Sequence, residues 1–586
     1  MFRFSVRSNQ AHRIRWREWG PGAFAQAQEQ DKLPVVFLTA FWCGFCQRMD
    51  EAALSDDEVI ALLNAFFVPI RVEESQRPDI DLRYNQNGWP TIAFLTPDGG
   101  HLFSTNYNDP EPFINVLVKM IDLYKQDKEA LFLAAAQPEL ESPGNSATTS
   151  EADEALPLGP ELVAEITGIV EGLADETNGG FGGQFKFLHT EALEFLLYQF
   201  ETSGQESHLD HVVLTLDRLR SSPMYHRGDG QYCGGFYRYS SKADWSEPHP
   251  EKLLDDQASL LRNYLHAYLL TGDPFHRKTA EEIIDFMEST LSKSSQAPFS
   301  GCQDYVRREG EFNAGQASES SPLIPVMDEF IYCDANARAA SAYLEAWWIL
   351  GRDDCRLRAQ AILEFLWCNL RAPEGGMFHF QDDEAKTPGL MNDAVSAGMA
   401  LLDGYADLDD LDYLQKAMAL ADEINRMHRN SAGGFSDISA TGPANLRFPL
   451  TVLSQNAEAA SFFLRLAAFS GDTRFGDTRF KEQAVWALKS FPNSHRQHGA
   501  FAAGFGQAVA RLLSDPVIVT ITGQPGSDQV RAMARAARTK LGAGNLVLRF
   551  SASAGEAFAQ IQRQDDSAVR VNKPEDLTSG SLQSTN

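Results

Sequence analysis

Cys43 and Cys46, held in the run Trp42-Cys43-Gly44-Phe45-Cys46, are the most pointed chemistry in the sequence. A thiolate rather than a thiol attacks a disulfide, so a redox cysteine needs its pKa lowered. Cys43 follows an apolar run and opens a helical stretch, where unpaired backbone amides and the helix dipole favour negative charge. Cys46 stands one turn later, placed to close a disulfide onto Cys43 or to resolve a mixed one. Downstream, Gly88-Trp89-Pro90-Thr91 leads into another apolar run. A cis Pro90 would set backbone groups against the dithiol for substrate binding. The other cysteines, Cys233, Cys302, Cys333, Cys355 and Cys368, show no CxxC or CxxH spacing and read as structural thiols. Neither a metal nor a cofactor is expected.

Alternating periods position this pair. Residues 34–40 (PVVFLTA) read as a buried strand. Ser55-Asp56-Asp57-Glu58 reads as a capping box, followed by Val59, Leu62, Leu63 and Phe66 at helical spacing. Phe67 to Val72 and Thr91 to Thr96 read as strands, the second closed by a Pro97-Asp98-Gly99 turn, and Asp109 to Tyr124 as an amphipathic helix. This is an α/β order. With WCxxC and the proline loop in sequence, residues 20 to 125 resemble thioredoxin. Two departures qualify what the resemblance implies. Phe45 stands between the cysteines where proline is usual, and Phe37 where thioredoxins keep a buried aspartate that helps move the proton. Redox capability is expected, but not a general disulfide-reducing role.

Residues 131–160 turn rich in Ser, Pro, Gly and acid and read as a linker after a thioredoxin-like domain at 1–130. From 161 to 514 long helical segments alternate with recurring glycine-aromatic turns: Gly179-Gly180-Phe181, Gly234-Gly235-Phe236, Phe299-Ser300-Gly301, Gly375-Gly376-Met377-Phe378, Gly433-Gly434-Phe435 and Gly499-Ala500-Phe501. Between them fall Thr271-Gly272-Asp273-Pro274, Leu350-Gly351-Arg352-Asp353 and Ser470-Gly471-Asp472. The repeated unit is a helical hairpin, and six of them are expected to close as an (α/α)6 toroid rather than an open solenoid. Residues 515–552 read as a small βαβ appendage, and 553–586 as a loose polar tail.

Long stretches carry a second resemblance: GGFGGQFKF (179–187), GGFYRYSSKADWSEPHPEKLLDDQASLL (234–261), SGCQDY (300–305), YCDANARAASAYLEAW (332–347) and GGFSD (433–437). They resemble a family whose segments run GGFGxAPKF, GGFxRYxxDxxWxxPHFEKMLYDQAxLL and QDAD. It joins a thioredoxin-like domain to a six-hairpin glycosidase-like toroid, and its animal member is called spermatogenesis-associated protein 20. Departures are Gln184-Phe185 for Ala-Pro, Pro250 for Phe, and Tyr305-Val306 after Asp304 where Ala-Asp is usual. The resemblance implies the architecture and no settled reaction. Similar toroids occur in sugar 2-epimerases and glycoside hydrolases, which use carboxylates or histidines at inner-helix ends as acids and bases. Candidates here are His249, Glu251, Lys252, Asp255, Asp256 and Gln257 around the start of one inner helix. Asp304, Asp334, Asn336, Asn392, Asp393 and Asn456 stand at corresponding places in other hairpins. Capping of helix N-termini is the competing role for each. Phe236, Tyr237, Tyr239, Trp245, Phe378 and Phe380 are candidates for stacking on a sugar ring or for plugging hairpin ends.

The chain of 586 residues is too long for one core, and its formal net charge of -29 argues against nucleic acid or an anionic membrane as partner. No apolar signal-peptide core lies in Met1 to Gly20, and seven cysteines make no disulfide framework, so a reducing cytoplasm is expected. Three readings follow. One is a thiol–disulfide protein acting on a disulfide or thiol substrate. Another is a carbohydrate-binding, sugar-isomerising or hydrolysing toroid whose redox domain is regulatory. The third is a non-catalytic platform that selects basic partners.

Overall fold

A computed structural model describes residues 2–135, 156–228, 232–294, 296–306, 324–470, 478–541, 545–562 and 568–577. The chain divides into two compact units. Met1–Thr148 forms the first together with Tyr305–Val326 and Ile438–Leu450, and the remainder forms the second. Within the span 161–514, residues 305–306, 324–326 and 438–450 group with the first unit. Residues 136–155, most of the expected linker, lie outside the described residues; its start is helical, within Lys128–Ala135.

The first unit runs α1 (Pro21–Gln30), β1 (Leu33–Thr39), α2 (Gly44–Glu51), α3 (Asp57–Phe66), β2 (Phe67–Glu73), α4 (Pro78–Tyr84), β3 (Thr91–Leu95), β4 (His101–Thr105), α5 (Pro110–Gln126) and α6 (Lys128–Ala135). Its sheet order is β2-β1-β3-β4, with β1 parallel to β2 and antiparallel to β3. Every residue of β1 is buried, as its unbroken apolar run demands. The cap of α3 is Asp56, whose carboxylate accepts from the amides of Glu58 and Val59. The expected capping box is thus shifted by one residue. Ser55 instead donates to the Asp50 carbonyl.

The second unit is a closed ring. Inner helices α8 (Thr190–Ser203), α10 (Leu254–Thr271), α12 (Cys333–Leu350), α14 (Met391–Leu408), α16 (Leu453–Ser470) and α19 (Ala503–Leu512) each pack on the next, and α19 returns to α8. Outside them lie α7 (Pro160–Gly172), α9 (Glu206–Ser221), α11 (Pro274–Phe286), α13 (Asp353–Asn369), α15 (Leu411–Met427) and α17 (Arg479–Leu488), with a single-turn α18 (His495–His498) before α19. The first outer helix, α7, pairs with the last inner one, α19, so the two ends of the segment complete the sixth hairpin. Gly272 ends α10 in the left-handed region and Asp273 caps α11, which makes the tight turn read from Thr271-Gly272-Asp273-Pro274. Gly471-Asp472 lies outside the described residues.

After the ring come β5 (Pro516–Gly523), α20 (Asp528–Lys540), β6 (Asn545–Ala552), β7 (Phe558–Gln562) and β8 (Val569–Val571). β5 and β6 are parallel across α20, the expected βαβ. The span read as a loose tail is corrected by β7, which pairs antiparallel with β5, and by β8, which pairs with β7. Residues 563–567 and 578–586 of that span lie outside the described residues.

One device repeats where the glycine-aromatic loops meet the inner helices. The Gln257 side-chain amide accepts from the Phe236 amide at 2.8 Å and donates to the Phe236 carbonyl at 2.8 Å. Asn336 does the same to Phe299, and Asn456 to Phe435. All three are fully buried, and each stands at the fourth residue of its inner helix. At this place α14 carries Ala394, and the amide of the preceding loop's Gly376 donates instead to Glu423 on α15. Gly235 is required beside its clamp: its φ is +71° and an added Cβ would fall 2.6 Å from the Phe286 ring. Phe236, Phe299 and Phe435 are buried plugs, and Trp245 and Phe380 are buried as well, so these rings pack rather than offer a face to a ligand.

Removing one clamp strands two buried backbone groups. Asn336→Ala and Asn456→Ala should each lower unfolding stability by about 2–4 kcal/mol, read by urea denaturation. Asn392→Ala, which loses only a bond to Asp334, should cost less than half as much. Equal losses in all three would contradict the clamp.

Candidate functional site

In the first unit Cys43 is the N-cap of α2, and Cys46 lies in that helix's first turn. The two are joined in a disulfide with Cα atoms 5.2 Å apart, and the Cys46 amide also donates to Cys43 Sγ at 3.1 Å. The pair itself is buried, whereas Phe45 between them is 56% exposed and rests against Tyr107. The Trp89–Pro90 bond is cis. Thr91 donates to the Gly88 carbonyl at 2.7 Å, and Asn106 donates to the carbonyls of Gln86, Gly88 and Pro90, which holds the loop. Trp42 meets Trp89 edge to face at 5.0 Å. Trp89 Nε1 donates in turn to Asp81 at 2.8 Å. Burial raises the Asp81 carboxyl to about 6, although its bonds from Trp89 and Asn85 hold it down. Phe37 is fully buried edge-on to Trp16 and Phe113, so no carboxylate occupies its place. Asp50, one turn beyond Cys46, is locked in a buried bidentate pair with Arg71.

Most toroid candidates read from sequence brace loops. His249 stacks on Tyr239 at 4.0 Å, and burial lowers its pKa. Glu251 is buried beside Arg238, and burial raises its pKa. Lys252, wholly buried, donates to the carbonyls of Gly234 and Tyr232 and meets His226 Nδ1 at 2.8 Å. Burial brings its pKa down to about 7. Asp256 is raised to about 8 by burial and by Asp255. Asp304 is buried in a short strand, Cys302–Val306. Gln257, Asn336 and Asn456 are the clamps. Asn392 donates to Asp334 at 3.0 Å. Asp393, fully buried, lies 3.0 Å from His379 Nδ1. Asp334, His379 and Asp393 bring ligand atoms within 4.8 Å of one another and form a group able to hold a metal ion. The sequence reading called for no metal and passed over His379, which follows Met377-Phe378 with no ligand spacing to mark it.

The ring encloses a cavity of about 330 Å³. Inner helices run parallel and in register around it: Asp255 on α10 accepts from Arg338 on α12 at 2.7 Å, and His266 on α10 meets Glu345 on α12. None of the twelve toroid candidates is among the residues that line this cavity; Asp255 reaches its wall through Arg338. The candidates in the first turns of α10, α12, α14 and α16 are spent on loops and caps, while the wall runs from Thr190, Glu191 and Ser454 at the helix starts to residues several turns deeper. There His266 lies between Glu194 at 2.9 Å and Glu345 at 2.5 Å. Burial opposes its charge, but the two carboxylates outweigh burial and lift its pKa to about 9. Glu345 also pairs with Arg262 at 3.1 Å, Asp403 with Arg465 at 2.7 Å, and Glu201 with Arg538 at 3.0 Å. At the end where the inner helices begin, burial and the Glu458 charge raise Glu191 to about 7. Where they finish, Arg538 of α20 and Asn545 to Leu548 of β6 form the wall.

Comparison with known proteins agrees with the motifs. Residues 5–140 match the model of a thioredoxin-like family described as a protein of unknown function, DUF255. Human spermatogenesis-associated protein 20 is 29% identical over 303 residues, covering 48% of this chain and 38% of that protein. An uncharacterized protein of Caenorhabditis elegans is 31% identical over 329 residues, 53% of this chain and 42% of that one. This chain thus aligns with less than half the length of either relative. Among solved structures, a sugar epimerase from a ruminal bacterium covers 59% of this chain and 97% of its own (TM-score 0.46, 16% identity). A D-mannose isomerase covers 62% and 99% (TM-score 0.46, 11% identity). The likeness is one of fold. Among the described residues, no helix is long and apolar enough to cross a membrane.

Two pH dependences follow. Asp81 has a folded value above its ordinary 3.8, so its ionised form weakens the fold increasingly from about pH 4 to pH 6 and fully above that range. Asp81→Asn keeps an acceptor for Trp89. It should melt higher than the parent near neutral pH, with the gain shrinking toward about pH 4; a pH-independent gain would contradict the assignment. His266 is raised instead, so its stabilisation is complete below about 6.5 and lost as pH climbs through about 9. The parent's melting temperature should fall across that alkaline window, and the fall should flatten in His266→Gln.

Proposed function

We propose that the first unit performs thiol–disulfide exchange through Cys43 and Cys46. The observation that carries this reading is the disulfide at the N-terminus of α2, with Cys43 as the helix cap, in the unit that also presents a clamped cis-proline loop. In the reduced form the amides of the first helical turn stabilise a Cys43 thiolate. That thiolate attacks one sulfur of a substrate disulfide, forming a mixed disulfide and releasing the other sulfur as a thiolate. Cys46, deprotonated, then attacks Cys43 Sγ; the substrate leaves as a dithiol and the protein disulfide is restored. Run backward, the same steps oxidise a dithiol substrate. Exposed Phe45 adds an apolar edge beside the sulfurs, which suits a partner presenting an apolar segment next to its cysteine. With Phe37 in place of an acid, proton removal from Cys46 falls to solvent or to the partner.

The test uses the full chain with Cys368, an exposed free thiol, replaced by Ser. In buffers of reduced and oxidised glutathione, Cys43/Cys46 should exchange between dithiol and disulfide, read by alkylation and mass. Cys46→Ser should accumulate one glutathione on Cys43, and Cys43→Ser should slow exchange by at least about a hundredfold. A Cys46→Ser variant that takes up no glutathione would sink the reading.

A further inference from the structure

Where α10, α12 and α16 carry the amide clamp, α14 carries Ala394, and the residue just before it is Asp393. Its fully buried carboxylate faces the incoming loop. There His379, in the short strand Phe378–Gln381, sets Nδ1 3.0 and 3.1 Å from the two Asp393 oxygens. Asp334, the second residue of α12, brings a carboxylate oxygen into the same group, with the three ligand atoms within 4.8 Å of one another. Each carboxylate is also held from behind. The Asn392 side-chain amide donates to Asp334 Oδ2 at 3.0 Å and the Ala335 amide to Oδ1 at 2.8 Å, while Asp393 accepts from the Asp334 amide. Arg338 acts on Asp334 through space, but its own bonds go to Asp255 and Glu458. A nitrogen donor and two oxygen donors of this kind, drawn from three separate segments, are what a metal ion takes as ligands.

We propose that Asp334, His379 and Asp393 form a site for one divalent first-row transition ion of the manganese-to-zinc series. Two carboxylates and a neutral imidazole bound through Nδ1 balance the charge of such an ion within the group. The imidazole selects it over Mg²⁺ and Ca²⁺, which take oxygen ligands. Donors bound about 2.1 Å from a common ion stand about 3.0–3.4 Å from one another, a spacing that His379 and Asp393 already match. Asp334 is the half-buried member, so the remaining positions open to water on its side. The ion ties α12, α14 and the loop strand together at the hairpin where the amide clamp is missing. No cysteine takes part, and the site is independent of the exchange reaction.

Calorimetric titration of the chelator-stripped full chain tests it. The chain is kept in its disulfide form with Cys368 replaced by Ser, so that neither the dithiol nor the exposed thiol competes for metal. At least one of Zn²⁺ and Mn²⁺ should bind at one equivalent with micromolar or lower Kd, and Mg²⁺ at least about a hundredfold more weakly. His379→Ala and Asp393→Asn should each lose at least about a hundredfold in affinity, and Asn392→Ala, which only orients Asp334, about tenfold. Asp334→Asn, at the half-buried ligand, should lose at least about tenfold and serves if Asp393→Asn does not fold. Glu171→Gln, which breaks the His208–Glu171 pair elsewhere in the ring, should bind as the parent does. Absence of a one-equivalent site, equal affinity for Mg²⁺, or an unchanged site in His379→Ala or Asp334→Asn would each overturn the proposal.

Discussion

The second unit depends on one constraint: six parallel helices in a ring leave a central space that their side chains can line but not fill. An apolar lining would leave a void whose walls lack contact partners. The chain instead lines the space with charges, and charges in a confined space must be paired. The network Glu194–His266–Glu345–Arg262 does this across three inner helices, and Arg465–Asp403 and Arg538–Glu201 do it elsewhere. Such pairs add little net stability over a well-packed apolar core. Their persistence around an unfilled cavity favours a role in holding polar groups toward its centre.

Holding the helix ends is a separate problem, and it uses different residues. Parallel inner helices begin at the same end of the ring, where each must receive a glycine-aromatic loop. Gln257, Asn336 and Asn456 solve this with a side-chain amide that imitates one more backbone pair for the incoming strand. The buried aromatic of each loop then fills the wedge behind the clamp. The amides at the fourth positions of these helices are therefore structural, and most of the charged groups that face the cavity come from later turns.

This division explains what the sequence made legible. Short-range signals held: the buried run of β1, the proline loop, the Gly-Asp turn at Gly272, and closure of six hairpins, because turn chemistry and period are local. The cavity wall was hidden. Helix α12 buries all but Asp334, Ala335 and Arg338 of its eighteen residues, so no polar stripe distinguishes the cavity face from the packed face. Arg262, His266, Glu345 and Arg511 stand in apolar surroundings without a spacing that marks them. The segments that carry the family resemblance contain Asp255, Asp256 and Asp334, which the fold uses one layer away. Strand β7 escaped notice because its partner lies outside its own stretch of chain, β5 preceding it by more than thirty residues, and β8 pairs only with β7. In the first unit, Phe37 is buried among aromatic rings, and the raised carboxyl near the proline loop, Asp81, is tied to that loop through Trp89 in three dimensions.

Closure also sets the chemistry of the cavity, not merely its shape. The sixth hairpin joins α7 to α19, so the ring exists only when the two ends of the segment meet. Arg511 rides on that closing helix, and β6, which follows it in the chain, completes the wall. In an open solenoid the same arginine and its neighbours Ser396 and Asn263 would line an open face rather than an enclosed space. The confined polar wall is thus created by the topology, and the last helix brings Arg511 to its seam.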